Sequence, residues 1–188
     1  MNMKKYYIIV LCGMFIAMQV IFGRYLAVDA VFVRISFVFI PIAIGGAIFG
    51  PLWNGIICAA ADIAGFLLYP GQGPFFPGFT LSAFLSGAAY GFFLKAAPSA
   101  AGRLPLSTTG SLLIRVSLAA FCVNILINAL LNTLWIAILL DKAYTFFLIE
   151  RMIKSLILLP INIAVISAIW KSLGKYIMSS VCPKISAI

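Results

Sequence analysis

Histidine is absent from this sequence of 188 residues. That one absence excludes His-ligated zinc sites, Ser-His-Asp triads and Cys-His dyads. Acidic residues are nearly as scarce: Asp29, Asp62, Asp141 and Glu150 are the four, against thirteen lysines and arginines. Only Asp62 and Glu150 fall within apolar runs, which is thin equipment for a proton relay. The four cysteines, Cys12, Cys58, Cys122 and Cys182, stand far apart and form no C-x-x-C pair. They read as small core residues, not as a disulfide frame or a metal site. No G-x-x-x-x-G-K-[ST] phosphate loop occurs, so the chain does not hydrolyse ATP by that machinery. The net charge of +9 is scattered singly among apolar segments. Without a stripe or basic tract, nucleic acid is not an expected partner.

What the chain has in excess is hydrocarbon. It is 64% hydrophobic and 9% charged, with a mean hydropathy of +1.18; soluble domains carry about 25% charged residues. A core of this size cannot hide so much apolar surface from water, so lipid is the solvent. A membrane helix needs about 20 mostly apolar residues, and six candidate spans follow: 6–23, 35–50, 52–69, 79–95, 112–140 and 144–170. The expected fold is all-α, a polytopic bundle of six transmembrane helices in a single domain, 1–188, with a linker-like connector over about 95–111. The start, MNMKKYYIIVLCGMFIAMQVIF, has an apolar run too long for a usual signal peptide and no A-x-A pattern after it, so it reads as a retained first span.

Charge sets the orientation. Lys4, Lys5, Lys95, Arg103, Lys171, Lys175 and Lys184 fall on one side of a six-span bundle, which the positive-inside rule assigns to the cytoplasm together with both termini. The outer side receives RYLAVDAVFVR, YPGQGPFFPGF and LDKAY. Arg24 and Arg34 lie there against the rule's preference.

Polar residues inside lipid are costly when unsatisfied, so the embedded ones are informative. Asn124, Asn128 and Asn132 recur every four residues on the fifth span, with Trp135 three further on. Ser82, Ser86 and Tyr90 make a second ladder on the fourth. Each ladder is either interhelical glue or the wall of a pocket. Asp62 lies seven residues before Tyr69, about 10 Å below the outer loop; it fits either an ion pair with an arginine of the bundle or the acceptor of a ligand's donor edge. On the sixth span, Arg151 and Lys154 share a face near the outer side, and Glu150 is placed to pair with Lys154. With Arg24 and Arg34 they make a positive mouth suited to carboxylates, or they snorkel to headgroups.

The segment GPFFPGFTLSA connects the third and fourth spans above these groups. Its prolines fix the backbone and its glycines allow sharp reversals. Phe75, Phe76 and Phe79 offer faces on which a flat ring stacks, an arrangement suited to an aromatic, anionic solute. Small residues four apart, Gly13 and Ala17, Ala61 and Gly65, or Gly87 and Gly91, mark close helix approaches. The terminal first helix is the one free to offer such a face to a partner.

RISFVFIP (Arg34 to Pro41), GPLWNG (Gly50 to Gly55), GPFFPGFTLSA, AYG (Ala89 to Gly91), NTLW (Asn132 to Trp135) and RMIKSLILLPI (Arg151 to Ile161) together resemble the folate-family substrate-binding subunits of energy-coupling factor vitamin transporters. The resemblance covers nearly the whole chain, and FFPGFTLSA is its most specific part. It implies a non-enzymatic six-helix bundle of a bacterial plasma membrane, without cofactor. Such a bundle captures folate from outside and docks on a membrane scaffold carrying two ATPases. It implies that the scaffold meets a small-residue motif on the first helix, usually Ala-x-x-x-Ala, here Gly13 and Ala17. Related subunits for thiamine, riboflavin or a queuosine precursor share the architecture, and a stand-alone secondary carrier is the rival of another class. For folate, the pterin edge fits Asp62, with Asn128 and Asn132 donating to its carbonyl. The aminobenzoyl ring is expected against Phe75 or Phe76, and Pro77, Gly78, Phe79, Ser82 and Trp135 complete the expected substrate site. The glutamate carboxylates meet Arg24, Arg34, Arg151 or Lys154.

Overall fold

Apolar runs punctuated by glycine and proline fold into helices at membrane length. The computed structural model describes residues 3–25, 28–29, 34–68, 75–95, 109–140 and 144–176. Among them are seven helices: α1 (Met3–Val20), α2 (Phe39–Phe49), α3 (Pro51–Leu68), α4 (Pro77–Leu94), α5 (Thr109–Phe121), α6 (Asn132–Leu140) and α7 (Tyr144–Tyr176). A π-helical turn, Ile21–Tyr25, extends α1, and a π-helical segment, Cys122–Leu131, joins α5 to α6. The result is six helical bodies, as the all-α reading expects. The exception is a two-residue antiparallel ladder in the first outer loop, pairing Val28 with Ile35 and Asp29 with Arg34. The segment 69–74, the greater part of the connector (96–108), residues 141–143 and the C-terminal 177–188 lie outside the described residues, as does the Arg34 side chain.

Five helical stretches are long and apolar enough to cross a bilayer: Tyr6–Arg24, Pro51–Leu68, Pro77–Leu94, Leu112–Leu139 and Leu148–Ser172. The second expected span, 35–50, is corrected. Its helix α2 has 11 residues, or about 16 Å, roughly half a hydrocarbon core. The rest of that run, residues 36–38, is non-helical, and both Ser36 and Val38 line an internal cavity. Irregular backbone is tolerated at membrane depth only where protein or a cavity covers it. Ser36 meets that condition: its hydroxyl donates to the Phe22 carbonyl at 3.4 Å and accepts from the Val38 N–H at 3.3 Å.

A helix apolar on every face belongs inside a bundle, and α2 buries Phe39, Pro41, Ala43 and the whole run Gly45 to Phe49. Around it Ala43 and Ala47 pack with Tyr90 and Leu94 of α4, Val116 and Ala119 of α5, and Ile166 and Trp170 of α7. On its other side Phe15 of α1 meets Phe49 edge-on, ring centroids 5.5 Å apart. Between apolar helices in lipid, association comes from close packing, which small residues permit. A Cβ on Gly91 would meet the Gly50 carbonyl carbon at 2.5 Å, one on Gly46 the Gly91 nitrogen at 2.8 Å, and one on Gly87 the Asn54 carbonyl oxygen at 2.6 Å. Asn54, fully buried, ties this seam by donating to the Ile42 carbonyl at 3.1 Å and the Gly87 carbonyl at 2.8 Å. By contrast, a Cβ on Gly13 would meet nothing within 4 Å, and both Gly13 and Ala17 are exposed on α1.

Candidate functional site

Away from that glycine seam the helices splay, leaving a cavity of about 780 Å³ lined from α1, α2, α3, α4, the π segment, α6 and α7. Ligand pockets typically enclose about 300–1,000 Å³, so a vitamin-sized solute fits.

Its polar wall starts from Asp62 on α3. One carboxylate oxygen accepts from the Thr80 hydroxyl of α4 at 2.8 Å, fixing the acid across the α3–α4 gap while its side chain lines the cavity. Three residues on, Gly65 leaves space for Arg24: a Cβ there would stand 3.2 Å from the Arg24 Nε. The π-helical turn ending α1 therefore turns Arg24 into the cavity, which it lines.

The asparagine ladder faces the same space. Asn124, Asn128 and Asn132 all line the cavity, and the first two stand on the π-helical segment with Asn132 directly after it. Single π turns occur often at functional sites because they reset the direction of side chains. The ladder is internally bonded: Asn132 Nδ2 donates to Asn128 Oδ1 at 3.1 Å, and Asn124 Nδ2 to the Ala120 carbonyl at 2.9 Å. Asn162 of α7 donates to Asn124 Oδ1 at 3.3 Å. Both readings of the ladder thus hold at once, since Asn124 ties α7 to the π segment and the stripe also walls the cavity. Buried polar atoms remain without partners along this surface: Asn132 Oδ1, Asn162 Oδ1, the Tyr90 hydroxyl and Gln19 Nε2. Native structures rarely leave such groups unpaired without a bound water or ligand.

Aromatic rings close one end. Phe75 tilts against Phe66, centroids 5.3 Å apart, and Phe76 contacts Phe79 at 6.0 Å and Trp135 at 5.7 Å. Phe75, Phe76 and Phe79 line the cavity, as do Ser82, Arg151 and Lys154. Trp135, Pro77 and Gly78 stand behind the lining. The Trp135 indole donates to Ser82 Oγ at 3.0 Å. Gly78 is the space into which the Phe76 and Trp135 rings pack, at 2.5 and 2.6 Å from a would-be Cβ. Pro77 begins α4, where a missing N–H costs nothing.

Sequence reading passed over four polar lining residues: Gln19, Ser36, Ser155 and Asn162. The signal for three of them was the one used for the other asparagines, a polar side chain inside an apolar span. Gln19 stands alone on its helix, and Asn162 lies seven residues from Ser155 on α7, without the every-fourth-residue spacing that marked the other ladders.

This is a membrane bundle built around a solute-sized, hydrogen-bonding cavity, the architecture of a solute-binding membrane component. Residues 8–183 match the family described as ECF transporter, substrate-specific component. The chain is 36% identical over 173 residues to the folate transporter FolT of Clostridium novyi, covering 92% of this chain and 93% of that one. It is 28% identical over 162 residues to FolT of Leuconostoc mesenteroides, covering 83% and 80%. A crystal structure of FolT bound with folic acid superposes with a TM-score of 0.72 at 38% identity, over 88% of this chain and 91% of that one. The chain belongs to the substrate-specific components of ECF transporters, and it is a multi-pass protein of the cell membrane.

Proposed function

We propose that this chain is the folate-binding subunit of an ATP-driven vitamin importer. One observation supports it above the others. A single cavity joins an acid, Asp62, to stacking faces at Phe75, Phe76 and Phe79 and to the cations Arg24, Arg151 and Lys154. Folate has the complementary sequence of groups: a donor-rich pterin edge, a flat aminobenzoyl ring and a glutamate carrying two carboxylates. Asp62 accepts from the 2-amino and ring N–H groups, asparagine amides meet the polar flank of the ring, and arginine forks pair with carboxylates. The relatives named as folate transporters and the folic-acid-bound neighbour support the same ligand.

Capture alone does not move a solute uphill. Without a phosphate loop in its sequence, the chain draws its energy from partners, a membrane scaffold and two ATPases. The open face of Gly13 and Ala17 on α1 is the docking surface proposed for that scaffold. Reconstitution tests this reading. Labelled folate accumulates in vesicles holding the chain with the scaffold, both ATPases and ATP. Vesicles holding the chain alone do not concentrate it. Ion-gradient-driven accumulation by the chain alone would replace this reading with a secondary carrier.

A further inference from the structure

Asp62 has a single hydrogen-bond donor among the described residues, the Thr80 hydroxyl, 2.8 Å from its Oδ2. Asp62 lines the cavity and Thr80 does not, so the bond reaches the carboxylate from behind the wall. Nothing in a helix obliges a threonine to do this. The usual partner of a helical threonine hydroxyl is a carbonyl one turn back. Thr133 follows that habit, donating to the Ala129 carbonyl. Thr80, in the first turn of α4, crosses to α3 instead.

The helix that carries the donor is fixed against the helix that carries the acid. A Cβ on Gly55 would meet the Phe84 ring at 2.8 Å, and Asn54 donates to the Gly87 carbonyl at 2.8 Å. Phe84 is one turn beyond Thr80 on α4, so the hydroxyl stands on a platform that α3 itself holds. An aspartate carboxyl otherwise turns about its last torsion through broad, two-fold wells. A donor fixed on one oxygen selects the plane of the group. A carboxylate offers about four acceptor sites, so one bond to Thr80 leaves both oxygens able to meet further donors. Resting on the folate reading, we infer that Thr80 is a positioning residue for the ligand. Its hydroxyl holds the Asp62 carboxylate in the plane that accepts the two adjacent donors of the pterin edge, and it does so without touching the ligand. Order present before binding need not be created on binding, which raises affinity.

The test titrates folate against the purified wild-type chain, Thr80→Val and Thr80→Ser in detergent. Valine keeps the branched shape and loses the hydroxyl, whereas serine keeps the hydroxyl and loses the methyl. Thr80→Val weakens folate about 3- to 10-fold, the cost of ordering one side chain on binding. Thr80→Ser stays within about twofold of wild type. A packing role alone gives the reverse order, with serine the weaker binder, and that order overturns the inference. Unchanged affinity in Thr80→Val overturns it as well. Action through Asp62 is read in an Asp62→Ala background, where Thr80→Val adds less than about a twofold loss; a further loss as large as in wild type contradicts it. Where Thr80→Val does not fold, Thr80→Ala against Thr80→Ser isolates the hydroxyl in the same way. A wild-type chain that does not bind folate sinks the folate reading, and this inference with it. A wild type that binds folate no more tightly than Asp62→Ala sinks this inference alone.

Discussion

Asn54 and Asp62 are polar residues eight positions apart on one apolar helix, yet they do opposite work. Around Asn54, backbones touch. Its amide hydrogens are both used, and Gly46, Gly87 and Gly91 bring α2, α3 and α4 too close for any Cβ. Around Asp62 residues of the same three helices line a cavity instead, and one hydroxyl from α4 bonds the acid. A polar group in lipid thus has two stable fates, cross-linking a seam or facing a solute, and the backbone separation set by glycine selects between them.

Substitutions sharpen that contrast. The largest expected effect is in the seam: Gly91→Val drives side-chain carbons into the Gly50–Pro51 backbone. It costs about 3 kcal/mol or more, since rigid backbone does not yield as a core side chain does. Thermal unfolding in detergent, read by circular dichroism, registers the loss. Next comes Asp62→Asn, which removes a charged acceptor and lowers folate affinity by about 10- to 100-fold; the melting temperature of the ligand-free protein stays near wild type. Smallest is Asn54→Leu, which deletes two neutral hydrogen bonds and costs about 1–2 kcal/mol in the same unfolding assay. Folate affinity is unchanged in that variant. Were Asn54→Leu to lower affinity as much as Asp62→Asn, seam and cavity would not be separable.

Much of the site was legible because lipid makes polar residues conspicuous. The ladders, Asp62, the phenylalanines and the outer cations stood out against hydrocarbon, and each described member except Trp135, Pro77 and Gly78 lines the cavity. Periodicity could not reveal that Trp135 binds Ser82 from behind, because a cavity's wall and the layer supporting it share one helix face. The run 35–50 is short for a membrane span by length alone, but the 11-residue helix within it was hidden for a related reason. RISFVFIP is as apolar as a helix start, and only the cavity beside Ser36 and Val38 tells why its backbone is not helical. The π segment has no compositional mark at all, since CVNILINALL suits an α-helix equally well.

The central claim is that this cavity binds folate, and one titration reaches it most directly. Trp135, packed on Phe76 and bonded to Ser82, is a natural fluorescence reporter of occupancy. Folate added to the purified chain, with thiamine and riboflavin as controls, should quench that signal to saturation at about one ligand per chain, the capacity of a cavity of this size. The controls should leave it unmoved. Saturation by thiamine or riboflavin with no response to folate would keep the bundle and contradict the assignment of its ligand.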